Sequence, residues 1–408
     1  MRRLRTALVL LLASCVSPEP EPGPVPVADS AGPDIRVGVL VDARQATIGG
    51  EPFAIDDPEE GNLRTITSGA ALSVAPRGAM VSLSGSGARI ERHRLIIHPV
   101  DSTGSITLNG RAYRGSLELR RDGVGLVAIN VVPLERYLAG VVGAEMGLRR
   151  PEELEALKAQ AIVSRTYALR NQGRWKERGF DLLGSVSDQA YAGQLTESPL
   201  ANAAVAATRG EVVTWEGQPI DAFFSSTCGG RTEEGVAAFA GASRPYLHAV
   251  DDRDATGTPW CATSPRYHWK AGWTAGQLAL ILRKTLAAEN LPGGRASDLR
   301  DIRIGTHTAT DRIATLELIG RNGRTTVSGQ AVRRVLAPPE GGILWSTDFT
   351  VHVTRTGTKL ERIDVDGRGN GHGVGMCQWG AIGRARAGQD YHQILISYFP
   401  GTDIQRLY

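Results

Sequence analysis

The chain has 408 residues, 41% of them hydrophobic and 22% charged, with a formal net charge of +3. That length allows two or three domains with ample burial for a core, and the composition is that of an ordinary globular protein. The small net charge and the lack of any basic run interleaved with aromatic residues argue against a nucleic-acid partner.

The N-terminus departs from this average. Arg2, Arg3 and Arg5 precede the apolar run Ala7 to Leu12, a charged region followed by a short hydrophobic one. The run is too short to span a bilayer. It leads into Leu12-Ala13-Ser14-Cys15, which resembles the lipobox of bacterial lipoproteins. Residues 1–15 read as a lipoprotein signal with its lipobox, and the resemblance implies cleavage before Cys15, lipidation of Cys15, and attachment to a membrane. A plain secretory signal with an incidental cysteine is the alternative, and export is expected either way. Val16 after the cysteine implies, by the sorting rule of such lipoproteins, an outer-membrane anchor facing the periplasm. Residues 16–33 carry six prolines and few apolar partners, so they read as an extended linker.

Between 34 and 132 the pattern is short alternating runs bounded by glycine, such as Ile35 to Val41, Arg94 to His98 and Arg114 to Leu119, which predict β-strands. Gly123 to Val132 is more continuously apolar and reads as a central strand. Pro133 opens a helix, with Leu134, Leu138, Val141 and Val142 on one face. Pro151 opens a second, whose acidic first turns favour the helix dipole. Further helices are expected over Thr274 to Glu289 and Gln389 to Tyr398. Near the C-terminus, Gly369 to Ala381 places five glycines around His372, Cys377, Gln378 and Trp379. So many glycines forfeit backbone entropy and bury nothing, which points to a loop that turns tightly or approaches a ligand closely. The loop lacks the register of a phosphate cradle.

One carboxylate sits in an unusual place. On a helical wheel Leu138, Val141 and Val142 flank Glu145, within the apolar arc. Desolvation there raises a carboxyl pKa, the setting of a general acid for a glycosidic oxygen. The competing reading is a glutamate at a frayed helix end that turns to solvent or pairs with Arg165.

Five stretches together resemble the SpoIID/LytB domain family: Val132 to Met146, Glu155 to Ala168, Asp188 to Gly193, Ser225 to Gly230, and the glycine-rich loop. The similarity covers about Tyr113 to Tyr408, which divides the rest into a β-rich region 34–112 and a family-like domain 113–408. It implies an α+β fold, a β-rich body with a few helices forming a glycan-binding groove. It also implies a peptidoglycan lytic transglycosylase with Glu145 as its acid, needing no second carboxylate because the sugar's own 6-hydroxyl is the nucleophile. Arg165, Tyr167, Tyr191, Ser225, His372 and Gln378 are then expected to line the groove. Arg165 has a structural ion pair as its alternative, and Tyr191 and Trp379 have core packing. The family commonly continues Glu-Met with proline, whereas this chain has Gly147. A catalytically silent peptidoglycan-binding protein that recruits an amidase partner is the second functional reading, and a zinc hydrolase a third.

With Cys15 assigned to lipid, Cys228, Cys261 and Cys377 remain. No cofactor is required by the proposed chemistry, but a structural zinc on Cys228, Cys261, His372 and Cys377 is one option. A Cys228–Cys261 disulfide with Cys377 free is the other, since an exported chain meets an oxidising compartment.

Overall fold

The structure, a computed structural model, describes residues 32–408 apart from 68, 70, 124, 240, 293–298 and 322. The signal-like segment, Cys15 and the proline-rich stretch to residue 31 lie outside the described residues. Pro33 already belongs to the body, its carbonyl accepting from Leu134 N at 3.1 Å.

The fold is α+β and strand-rich. A seven-stranded sheet runs in the order Leu182–Leu183, Asp34–Ala43, Gly125–Pro133, Ser116–Asp122, Arg94–Pro99, Phe53–Asp57, Gly61–Ile66. A six-stranded sheet takes Arg111–Tyr113, Ile106–Leu108, Ala46–Gly50, Leu72–Arg77, Met80–Gly85 and Ala88–Arg92. Side chains from both, among them Val37, Ile48, Leu83 and Ile97, join one buried core. Residues 34–112 are therefore woven into this body: Asp34–Ala43 pairs antiparallel with Gly125–Pro133, so a boundary at 112/113 cuts through shared sheets.

The same core continues into the helices. Helix α1 spans Leu134–Met146 with Pro133 as its N-cap, and α2 spans Leu154–Arg170 after a single tight turn at Pro151–Glu153. Helix α3 covers Pro199–Ala207 and the short α4 Gly235–Ala238. Residues 268–368 then build a second core around Trp273, Leu282, Leu316 and Ile363. This module has two three-stranded sheets with α5 (Ala275–Ala288) and α6 (Ala331–Val335). Thr274 caps α5 through a capping box with Gln277. The chain returns to the body through the glycine-rich loop, then α7 (Gln378–Arg386) and α8 (Tyr391–Tyr398). Phe224–Ser225 and Met376–Cys377 pair in parallel, joining two of the family-like stretches directly.

Candidate active site

Helix α1 carries Glu145 in its last turn. Leu138, Val141 and Val142 are fully buried, so the apolar arc read from the sequence is real, and Glu145 emerges half-buried at its end. Two features fix this end of the helix. A Cβ at Gly143 would overlap the Thr196 carbonyl oxygen, so the glycine lets α1 lie against the 193–196 turn. Gly147 ends the helix at φ +67°, a conformation that proline cannot adopt, and its N–H bonds Gly143 O at 2.9 Å. The departure from Glu-Met-Pro is thus a different helix stop, not a lost acid.

The carboxylate is held by polar groups without a cation. Glu145 Oε1 accepts from Ala190 N at 2.8 Å, and the Gln378 side chain bonds the carboxyl too. No salt bridge to Glu145 occurs among the described residues. Burial raises its pKa above the ordinary carboxylate value, and the Ala190 and Gln378 hydrogen bonds oppose the rise only in part. Gln378 in turn donates to Gln160 Oε1 at 3.3 Å, and Gln160 donates to Ser164 Oγ at 3.0 Å. Gln378 therefore links the Glu145 carboxyl of α1 to Gln160 of α2.

The Asp188-Gln189-Ala190-Tyr191 stretch is what positions the Ala190 amide. Asp188 accepts from Trp175 Nε1 and Leu183 N at 2.8 Å, and from Tyr167 Oη at 3.1 Å. Gln189 accepts from Tyr137 Oη at 3.1 Å and donates to Ser164 O at 3.3 Å. Tyr191 Oη donates to Asn130 at 2.9 Å, with its ring against Tyr113 and Tyr137. Burial holds the Tyr167 and Tyr191 phenols protonated.

These contacts sort the expected groove residues. Gln378 joins Glu145 directly. Tyr167 and Tyr191 are buried anchors of the 188–191 loop, not sugar-facing platforms. Arg165 is wholly buried, its guanidinium bidentate on Glu135 at 2.7 Å, and Tyr408 Oη adds a 2.6 Å bond to the same carboxylate. The ion-pair alternative holds for Arg165, which leaves Glu145 without it. Ser225 Oγ is buried with no hydrogen-bond partner, and Gly371 (φ +112°) packs against its Cβ. His372 lies against the Phe223 and Phe239 rings. Its desolvation and the nearby charges of Arg333 and Arg312 push its pKa down to about 3, so the ring is neutral at any physiological pH. Trp379 is half-buried, with the Arg149 guanidinium 4.9 Å above its ring.

The cysteines gather on the other side of α7. Cys228, Cys261 and Cys377 are free, buried thiols, with Cys228 and Cys261 Sγ 3.7 Å apart, so the expected disulfide is not formed. Their fourth neighbour is Asp252, and the four ligand atoms lie within 4.8 Å of one another. His372 is not among them; its Nδ1 accepts from Val374 N at 3.1 Å. Asp252 had no sequence signal: it stands in a loop at no motif spacing from any cysteine.

A family model described as stage II sporulation protein matches residues 122–215, and a domain of unknown function matches 261–375. The chain is 32% identical over 307 residues to an uncharacterized protein of Brachyspira hyodysenteriae, covering 73% of each. It is 30% identical over 293 residues to stage II sporulation protein D of Bacillus subtilis, covering 68% of this chain and 76% of that one. An amidase enhancer of Bacillus subtilis is 29% identical over 65% of this chain and 40% of its own length. The chain belongs to the SpoIID family.

Proposed function

We propose that the protein is a cell-wall enzyme that cleaves the MurNAc–GlcNAc bond of peptidoglycan glycan strands by lytic transglycosylation. The observation that carries this reading is the state of Glu145: partly open, cation-free and raised in pKa by burial. Such a carboxyl holds its proton more tightly than an ordinary carboxylate and can give it to the departing glycosidic oxygen as the C1–O4 bond breaks. The resulting carboxylate then takes the proton of the sugar's 6-hydroxyl as that oxygen closes on C1. The product is a 1,6-anhydro end, and no water is consumed.

Family membership and the resemblance to an amidase enhancer fit a cell-wall role, and the latter favours a second reading: a non-catalytic glycan-binding protein that modifies an amidase. Digestion of purified glycan strands followed by mass analysis separates the two. Glu145→Gln is expected to lose about 100-fold or more of the anhydro-end formation while still binding glycan. Equal product profiles for wild type and variant would sink the enzyme reading. We further propose an exported, lipid-anchored protein; Cys15→Ser is expected to move it from the membrane to the soluble fraction, and retention in the membrane would refute the anchor.

A further inference from the structure

We propose that Cys228, Asp252, Cys261 and Cys377 form a closed, tetrahedral site for one structural zinc ion. The spacing is the first argument. Zinc–thiolate arms of about 2.3 Å require sulfur–sulfur edges of about 3.8 Å, and Cys228 and Cys261 stand 3.7 Å apart. Asp252 Oδ2 lies 3.1 Å from Cys228 Sγ, leaving all four ligand atoms around one centre.

The surroundings supply the second argument. Asp252 Oδ1 is committed to Arg384, through Nε at 3.2 Å and a terminal nitrogen at 3.1 Å, and to Tyr398 Oη at 2.8 Å. That leaves Oδ2 pointing its lone pairs at the sulfurs, the outer-shell arrangement that orients a ligating carboxylate. Backbone amides do the same for sulfur: Cys228 N and Gly380 N each donate to Cys377 Sγ at 3.2 Å, and Gly230 N to Cys228 Sγ at 3.4 Å. Such N–H donors suit thiolates, whose charge a dication would balance. With four protein ligands and complete burial, no position is left for substrate, so the role is structural. The soft, sulfur-rich donor set selects zinc over magnesium or calcium.

The ion would tie three segments far apart in sequence. Cys377 is the N-cap of α7, immediately before Gln378, which holds Glu145. This inference stands apart from the catalytic proposal, since a silent glycan-binding protein would hold the same ion.

Full-length protein purified without chelator should contain about one zinc per chain by elemental mass spectrometry, and its three body thiols should all react after unfolding without reductant. Asp252→Ala and Cys261→Ser are expected to lose the ion, and His372→Ala to keep it. Zinc-specific chelation should lower Tm, restored by Zn²⁺ and not by Mg²⁺. Zinc below about a tenth of an equivalent in wild type, or a chain two mass units lighter carrying a Cys228–Cys261 crosslink, would overturn the proposal without touching the anhydro-product assay.

Discussion

Two carboxylates flank helix α7, and both have their pKa raised by burial, Glu145 on the α2 side and Asp252 among the thiols. Their partners differ. Asp252 is fully buried and paired with Arg384 and Tyr398, whereas Glu145 is half-buried and, among the described residues, hydrogen-bonds to a backbone amide and a side-chain amide. A desolvated carboxylate is common to structural and chemical sites. A cation beside it, or none, decides which protonation state it keeps and whether it can trade a proton.

The largest effect that tests this contrast is loss of the Asp252 cation. Arg384→Ala strands a buried carboxylate and should cost about 3–5 kcal/mol of stability, read as a large fall in Tm. A Tm close to wild type would mean that Asp252 does not depend on its cation. Next comes Gln378→Ala, which removes a hydrogen bond worth about tenfold or more in rate through the orientation of the acid. Because that bond lowers the Glu145 pKa, its loss should move the alkaline limb of the pH–rate profile to higher pH. An unmoved limb would place Gln378 outside the machinery.

The smallest effect concerns Glu145 itself. Its raised pKa means that the folded chain keeps a proton which the unfolded chain has already released. Stability is therefore lost as pH climbs from the ordinary carboxylate range through the raised value. Glu145→Gln removes that penalty, so the variant should melt slightly above wild type at pH 8 and together with it at pH 4. A lower Tm at pH 8 would show that Glu145 is a structural group like Asp252.

Much of this site was readable before the structure. Helix α1 announces itself through Pro133 and the Leu138, Val141, Val142 face, and Glu145 follows from its place on the same wheel. Gln378 came from the glycine-rich motif. The rest depends on partners that periodicity does not encode. Arg165 read as a groove residue because its partner, Glu135, sits on a separate helix within another of the family-like stretches. His372 read as a metal ligand by residue type, yet its ring packs against Phe223 and Phe239 and stands outside the cluster that the three thiols form with Asp252. Alternation correctly marked strands in 34–112, but consecutive strands there switch between two sheets, and a period of two cannot say which.

The second module enters and leaves the body on adjacent strands, with His268 opposite Arg368 in antiparallel register. Once its own core has formed, the body meets it as an elaborated hairpin. The long tether between Cys261 and Cys377 then closes with the entropy of a short one, because a folded insert contributes only the gap between its ends. A folded insert therefore lowers the closure cost of bringing the glycine-rich loop to its partners in the body.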